Sequence, residues 1–542
     1  MKIVSYGAAG AYVDLEAEDP AVRARCTLET SSLLRKAFPA ADVVSGVGAV
    51  AVFGADPVAV RRALDEYTNA STAVPALNQR ASAEPSATDM YAKHPSTPSV
   101  RPSRLHVIQV VYTGADLDEV AHRTGLSPSG VIDLHTGREH VVEIIGFLPG
   151  FAYAGPVHPA LFVPRRSAPR PRVEPQSVAI AGEFTGIYPL TSPGGWNLLG
   201  TSLGPPPFDP YRAEPFLFAP GDRLQFQRAP DKSAEPNEID NVTTRDVYTF
   251  GVHINEKLRG APPVRFKPSS TPVFEVTRVR GLASIQDLGR TGLLHAGLCA
   301  SGAVDPRALI AANRAVSNPP NFAAIEVLLG RLDLVAREDV TVAISGPSAT
   351  LLRAGETLQI AAPDGVPRYL AIAGGVDVPV VLQSRSTMLS ARFGGLEGRP
   401  LRAGDLIFAG EIAGAWTMES AAASSDVDDD FVDVDPGPHL DRFAAGVFEQ
   451  FARTEWRVTS LRDRTGLRLS GNAVPRLGPD LAAPVPMCRG AVQITSDGTP
   501  IVLGPDHPTT GGYPVLAVVR AACFSVLARK APGDRVRFRI GA

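Results

Sequence analysis

Three arginines of this 542-residue chain stand in short polar motifs rather than in runs of charge. Arg290 closes Gln286-Asp287-Leu288-Gly289-Arg290, Arg385 lies in Ser384-Arg385-Ser386-Thr387, and Arg464 lies in Asp463-Arg464-Thr465-Gly466. A guanidinium offers a planar fork that can bind a carboxylate or phosphate through paired hydrogen bonds. Two paired-glycine loops, Gly194-Gly195-Trp196 and Gly511-Gly512-Tyr513, can bring backbone N–H groups close to an oxyanion because no Cβ blocks the approach. Thr509 and Thr510 precede the second loop and add hydroxyl donors. Gly194, Gly195, Arg385, Arg464, Thr509, Thr510, Gly511 and Gly512 are the candidate substrate- or phosphate-binding residues. An ordinary tight turn competes at each glycine pair, and a structural salt bridge at each arginine.

His295, flanked by Gly292 and Gly297, is the preferred acid/base because histidine titrates near neutrality. With Asp287 and Arg290 it makes up the candidate catalytic set, and a buried, hydrogen-bonded histidine is the competing reading. Asp305 precedes Pro306 and the apolar stretch Ala308–Val316, so it reads as a helix cap. His158, His507 and Glu183 are secondary candidates, while Phe147, Phe151, Tyr153 and Trp196 read as core or pocket wall. Neither a Ser-His-Asp order nor a metal-ligand cluster is visible in the spacing, and metal ligands stay unassigned.

Elements of a β-rich, turn-rich protein must position these groups. The length suggests roughly three to five domains. With 44% apolar residues, and 50 Gly and 49 Pro, the chain should fold compactly around strands rather than long helices. A net charge of −3 gives no reason to expect nucleic acid or a membrane as partner. The cysteines, Cys26, Cys299, Cys488 and Cys523, form no C-x-x-C pair and read as reduced core thiols. No apolar run reaches the ~18 residues of a membrane span, and the N-terminus lacks an apolar leader, so a cytoplasmic location is expected. Seven lysines occur, none between Lys93 and Lys232 or between Lys267 and Lys530, which excludes a Walker-type Gly-Lys-Ser/Thr loop and a Met-Lys-Met biotin hairpin.

Residues 1–68 read as a small α/β unit, with strands at Tyr12–Leu15 and Val43–Phe53 and helices at 20–37 and around Val60–Tyr67. Residues 69–103 and 229–270 read as polar linkers. After the strand Leu105–Tyr112, Asp116 with Glu119 suits a capping box and Ser127-Pro128 a second helix start; the lack of a basic face argues against a DNA-reading helix pair. The chain then repeats itself. Ala179-Ile180-Ala181-Gly182 recurs as Ala371–Gly374 and more weakly as Ile501–Gly504, and each copy leads to a Gly-Asp turn, at Gly221-Asp222, Gly404-Asp405 and Gly533-Asp534. Three related β-barrels are expected, over 104–228, 271–430 and 431–542. The acidic run Asp426–Asp435 reads as a solvated connector, since the Gly and terminal Glu of a calcium loop are missing.

Several long motifs carry a family resemblance. Gly146-Phe147-Leu148-Pro149-Gly150-Phe151-Ala152-Tyr153, Pro164-Arg165-Arg166 with Pro169-Arg170, Val178–Pro189 and Ser192-Pro193-Gly194-Gly195-Trp196 resemble the family of KipI, the sporulation-kinase inhibitor that is also the B component of prokaryotic 5-oxoprolinase. Gln286–Arg290, His295, Ser301–Asp305, Ser384–Thr387, Asp463–Leu469 and Thr509–Pro514 resemble the partner family, KipA or the 5-oxoprolinase C component. Both are related to the carboxyltransferase region of urea carboxylase and carry the older label of allophanate hydrolase subunits. The chain departs from the pattern at Ala483-Pro484-Val485, Thr495-Ser496-Asp497-Gly498 and Ala521-Ala522-Cys523.

The resemblance implies a mainly β protein with α+β character: a small ferredoxin-like N-terminal domain followed by three cyclophilin-like barrels. It implies a B–C fusion of an ATP-dependent 5-oxoprolinase, a lactam hydrolase that uses ATP and Mg²⁺ and needs a separate protein, the 5-oxoprolinase A component. A biotin-dependent carboxyltransferase for urea or a similar amide is the alternative, with biotin carried on another protein, and a kinase-inhibiting binding module is the third. The two halves could pair within one chain or in a homo-oligomer.

Overall fold

In the computed structural model, which describes residues 1–7, 10–17, 19–70, 103–229, 271–410 and 430–541, alternation along the first strands buries two different layers. Strands β1 (Lys2–Ser5), β2 (Gly10–Asp14), β3 (Asp42–Gly46) and β4 (Ala49–Phe53) form an antiparallel sheet in the order β1-β2-β4-β3. Helix α1 (Pro20–Ala37) joins β2 to β3, and α2 (Pro57–Ala70) follows β4. Ala11, Val13, Val50 and Val52 cluster with Leu34, Val60 and Leu64 of the helices. Tyr6, Tyr12, Ala49 and Ala51, on the other face, pack on Val485, Met487, Leu503 and Val515 near the end of the chain. A ferredoxin-like unit runs βαββαβ, whereas the chain order here is ββαββα, with the strand beside β2 supplied from before it rather than after α2.

Two closed seven-stranded barrels follow the same plan. The first uses β5 (Leu105–Val111), β6 (Glu139–Ile145), β7 (Ala152–Gly155), β9 (Ser177–Ala181), β10 (Phe184–Ile187), β12 (Asn197–Ser202) and β13 (Arg223–Arg228). The second uses β21 (Val432–Pro436), β22 (Glu455–Arg462), β23 (Gly466–Ser470), β25 (Ala491–Ile494), β26 (Pro500–Leu503), β28 (Val515–Val519) and β29 (Arg535–Ile540). Round either barrel, starting from its first strand, the neighbours are its first, sixth, fourth, fifth, third, second and seventh strands. The first and seventh form the parallel pair that closes each ring. Apolar side chains fill both interiors. In each barrel one extra strand follows the third and another follows the fifth, and the two pair into a flap outside the ring. The flaps are β8 (Arg170–Val173) with β11 (Ser192–Gly194), and β24 (Val485–Pro486) with β27 (Thr510–Gly511).

Between the barrels, β14 (Phe274–Gln286), β15 (Ala324–Ala336), β16 (Val340–Ile344), β17 (Ala349–Leu352), β18 (Thr357–Ala362), β19 (Arg368–Ile372) and β20 (Leu406–Ile407) form one sheet in the order β17-β16-β19-β15-β14-β20, with β18 added on β15. Of the three expected barrels, two therefore close. The middle sheet stays open, because β20 is two residues long and pairs only with β14. All three units keep one turn. Gly221, Gly404 and Gly533 have φ of 90°, 90° and 93°, and the following Asp222, Asp405 and Asp534 accept from the amide three residues back, at 3.0, 2.7 and 2.8 Å. The positive φ explains the glycine and the amide bond explains the aspartate.

Three local expectations need correction. Ala179–Gly182 ends the fourth strand of its barrel while Ile501–Gly504 ends the fifth, so the third copy of that motif is not equivalent to the first. Asp116 precedes α3 (Leu117–Thr124) without a side-chain capping bond, its carboxylate being held by arginines and the Leu198 amide instead. The acidic run is in part a strand: within β21, Asp433 pairs with Arg539 and Asp435 with Arg520, because neighbouring strands place a cation beside each carboxylate. Its residues 426–429 and nearly all of the two linkers fall outside the described residues. Ser127 and Asp305 do cap helices, α4 (Pro128–Thr136) and α5 (Pro306–Ala315), accepting from Gly130 and Ala308 at 3.0 Å each.

Candidate active site

The two glycine loops lie on the two flaps, and the flaps border one aromatic cluster. Phe151, Tyr153, Phe184, Tyr188 and Trp196, on the outer side of the first barrel, are buried together with Val173 of the first flap. Val47 from the N-terminal unit and Ala483, just before the second flap, pack on the same cluster. Phe151 stands edge-to-face to Tyr153, Tyr188 and Trp196 at 5.1–5.2 Å. Gly194 is required here: a Cβ would lie 2.4 Å from the Tyr188 hydroxyl. A Cβ on Gly146 would lie 2.4 Å from Thr510 Cγ2, so the second flap sits directly on the first barrel. The Thr510 hydroxyl faces Tyr153 without reaching hydrogen-bond geometry, and the Thr509 hydroxyl is also buried without a partner. Gly511 packs against Met487 and Gln493, and the Gly512 carbonyl accepts from the Leu481 amide, so both shape the second flap.

Asp116 organises the first flap. One carboxylate oxygen accepts from Arg166 Nη1 at 2.8 Å and Arg170 Nη2 at 2.6 Å, and the other accepts from the Leu198 amide at 2.7 Å. Burial pushes this carboxyl up, but the Arg170 bond, the Leu198 amide and the two guanidiniums outweigh it and hold the pKa below its ordinary value. The Gly195 carbonyl accepts from the Arg166 amide at 2.8 Å, which ties the arginine segment to the glycine loop.

A second group of expected residues gathers between the middle sheet and the second barrel. Asp287 accepts from the hydroxyls of Ser384 (2.7 Å) and Ser386 (2.5 Å) and from the amides of Gly289 (2.7 Å) and Arg385 (2.6 Å). Its carboxylate is thus a turn organiser with both oxygens engaged. Arg385 donates from Nε to the Val378 carbonyl and is partly exposed. Arg464, 3% exposed, donates to Asp506, to Glu326 Oε1 at 2.5 Å and to the Gly302 carbonyl at 2.7 Å. Burial works against its charge, yet Asp506 and Glu326 more than compensate and raise its pKa. With all three nitrogens bonded and the side chain almost fully buried, Arg464 joins two units as a structural ion pair. Arg290 differs: Nη2 donates to the Ser386 carbonyl at 2.7 Å and the guanidinium stacks over Phe393, while Nε and Nη1 are buried without partners. Burial lowers its pKa.

His295 lies in a short helical turn, Leu294–Ala296, that packs on β3. Burial and the nearby Arg35 push its pKa down to about 4, so it is neutral and only weakly basic at pH 7. The neighbouring Ala296 carbonyl accepts from the Gly150 amide at 3.0 Å, and the Pro505 carbonyl accepts from the Ser301 amide at 3.1 Å. The segment 287–304 therefore runs from Asp287 and Arg290 past the first barrel. His158 caps a short turn, His507 is buried with its pKa at about 4, and Glu183 pairs with Arg23 of α1.

Sequence reasoning passed over Asp116, Arg165, Arg166, Arg170 and Ser192 as functional groups. The signal available was four arginines between 165 and 172 in a stretch without lysine. The ion pair of Arg23 with Glu143 at 3.2 Å, and Tyr369, which donates to Glu326 at 2.6 Å, left no such trace.

Comparison with known proteins fits this two-barrel arrangement. Residues 1–218 match the family model "Carboxyltransferase domain, subdomain C and D", and residues 296–540 match "Carboxyltransferase domain, subdomain A and B". The chain is 32% identical over 281 residues to the C component of 5-oxoprolinase from Escherichia coli (strain K12), covering 49% of this chain and 90% of that one. It is 50% identical over 128 residues to the B component of 5-oxoprolinase from Escherichia coli O157:H7, covering 23% of this chain and 58% of that one. The crystal structure of TTHA0988 superposes with a TM-score of 0.74 at 30% identity, over 98% of this chain and all of that one. The chain belongs to the carboxyltransferase-domain family that includes the 5-oxoprolinase subunits. Within that family it joins a B-like part and a C-like part in one polypeptide.

Proposed function

We propose that this chain is the B–C component of an ATP-dependent 5-oxoprolinase, converting 5-oxoproline to glutamate together with a separate A component in the cytoplasm. The observation that carries the reading is that B-like and C-like sequences share one chain, whose two barrels meet through Gly146 and Thr510. Fusion fixes the two parts at equal stoichiometry and raises their effective concentration. In the same reading the open middle sheet is the third of three related cyclophilin-like units, supported by its Gly404-Asp405 turn, and the N-terminal unit is a rearranged ferredoxin-like domain.

A lactam is a poor electrophile. In this reading ATP would phosphorylate the amide oxygen and leave as ADP. One water would add at the carbon, C–N cleavage would free the amine and leave an acyl phosphate, and a second water would release phosphate and glutamate. The chain's own residues would bind and shield. The arginines of the first flap fit the nucleotide phosphates, because Arg166 and Arg170 keep buried N–H groups without partners. The aromatic cluster excludes water, and the Thr509 and Thr510 hydroxyls offer donors to a developing oxyanion. Mg²⁺ would travel on the phosphates; among the described residues no group of three or more His, Cys, Asp or Glu stands ready to cage a metal.

Glutamate and ADP release from 5-oxoproline and ATP, assayed with and without the A component, tests the reading. Turnover is expected only with both proteins, and absence of glutamate in the complete mixture would sink it. The family model itself favours a second reading, as does 30% identity over 313 residues to urea amidolyase of Lachancea kluyveri, of which this chain covers 17%. In that reading the protein transfers carboxyl from a biotin carrier to urea or a similar amide. Transfer of labelled carboxyl from carboxybiotin to urea would select it.

A further inference from the structure

We infer that the first flap is a phosphate-binding site, built from Arg165, Arg166, Arg170 and Ser192. Arg166 and Arg170 each give Asp116 one nitrogen, at 2.8 and 2.6 Å. Arg166 Nε and Arg170 Nη1 are then left buried and unbonded. A buried guanidinium N–H without an acceptor is costly, and it is tolerated where an anion completes the shell. The side chains are still reachable: Arg166 is 34% and Arg170 23% exposed. Arg165 is exposed and has no counter-ion among the described residues, although its charge acts on Tyr153 and Tyr188. Its segment is anchored beside the flap, because Asn197 Nδ2 donates to the Pro164 carbonyl at 3.0 Å.

Charge selects the ligand. Three guanidiniums against the single Asp116 carboxylate leave two positive charges, and Arg172 nearby is already matched by Glu174. A carboxylate would neutralise only one of them, whereas a phosphoryl group carries about two negative charges at pH 7. Gly194 and Gly195 keep the flap backbone low, and a Cβ on Gly195 would meet nothing closer than 3.8 Å, so there is room above the loop.

The duplicated fold supplies an independent observation. Ser192 stands two residues before its glycine pair, as Thr509 does on the equivalent flap of the second barrel. Both side chains are more than nine-tenths buried, and both hydroxyls lack a partner. The same unsatisfied hydroxyl at the same place in two barrels marks a built-in donor position. The strand paired with Ser192, β8, carries Arg170 and Arg172 and follows Arg165 and Arg166, whereas β24 and β27 of the second flap carry no arginine, so the two flaps divide the work: phosphate on the first, and a less charged group on the second.

Assignment of the phosphate to a nucleotide rests on the oxoprolinase reading, whereas the phosphate site itself does not. Binding of pyrophosphate, Mg²⁺-ATP and acetate to the full chain can be measured by calorimetry. Pyrophosphate and Mg²⁺-ATP should bind, acetate should bind at least about tenfold more weakly, and Arg165→Gln and Ser192→Ala should each weaken pyrophosphate by about tenfold. Arg165 makes no bond that the fold needs, so that variant should keep its melting temperature. Arg353→Gln, far away in an exposed ion pair with Asp339, should bind as the parent does. Unchanged pyrophosphate affinity in Arg165→Gln, equal weakening in Arg353→Gln, or acetate binding as tightly as pyrophosphate would each overturn the site. Pyrophosphate binding with no effect of ATP would overturn only the nucleotide. Cluster-dependent binding in a protein that releases no glutamate with the A component would overturn only the oxoprolinase reading.

Discussion

Arg464 of the second barrel donates to Glu326 of the middle sheet at 2.5 Å, across 138 residues of sequence. Both side chains are almost fully buried, and Asp506 completes the arrangement at 2.9 Å. Removing one partner of a buried ion pair leaves an uncompensated charge and costs about 3–5 kcal/mol. Arg464→Met should lose stability of that order in urea unfolding. A loss below about 1 kcal/mol would show that the two units do not depend on this link.

Gly146 and Thr510 form a steric pair between the barrels. Gly146→Ala places a methyl against the Thr510 side chain, and overpacking of this kind costs about 1–3 kcal/mol. Thr510→Ala should recover much of that loss when combined with it, giving a coupling term in a double-mutant cycle. Simple additivity would mean that the flap moves away at no cost.

Five histidines are buried in forms that resist protonation. Burial pushes His140, His295, His439 and His507 down to about 4, and His135 well below its ordinary value. His135 bridges the hydroxyls of Tyr112 and Thr185 at 2.7 and 2.8 Å inside the first barrel. Because the unfolded chain binds these protons first, stability is full above about pH 6.5 and falls as pH drops towards 4. Unfolding at pH 5 should take up about five protons from these groups, measurable by calorimetry in buffers of different ionisation enthalpy. Uptake of one or none would contradict the buried neutral state.

Arg23 of the N-terminal unit clamps two carboxylates of the first barrel, Glu143 at 3.2 Å and Glu183 at 2.6 Å. Burial raises Glu143 to about 7, only partly offset by Arg23. The folded state therefore holds a proton that the unfolded state has released between about pH 4.5 and 7, and stability falls as pH rises through that window. Arg23→Gln should steepen the fall, destabilising more at pH 8 than at pH 6 in paired urea titrations. An equal loss at both would place the Glu143 charge elsewhere.

Local chemistry was the legible part of this sequence. Asp305-Pro306 and Ser127-Pro128 act as caps because a cap needs only residues within one turn. The three Gly-Asp turns recur for the same reason. Where a residue's partner is distant in sequence, the local reading failed. Asp116 matched a capping box, but Arg166, 50 residues on, and Arg170 hold its carboxylate. Asp433 and Asp435 looked like a connector because Arg539 and Arg520 are about a hundred residues away. The glycine loops were found, but their common aromatic cluster was not, since Tyr153, Trp196 and Ala483 meet only once both barrels have closed. Arg464 stood out as a polar-motif arginine, and of its two readings the structural ion pair is the one seen, because Glu326 and Asp506, which its motif could not reveal, occupy it.

The N-terminal sheet also has a history imposed by its second face. The Tyr6 hydroxyl donates to the Pro486 carbonyl, a partner 480 residues further along. A ribosome adding 5–20 residues per second takes roughly 24–96 s to deliver that segment. Throughout that interval Tyr6, Tyr12, Ala49 and Ala51 lack the side chains that cover them in the finished molecule. The second face of the N-terminal sheet thus matures only after that distant segment has been made, and stays an uncovered apolar surface until then.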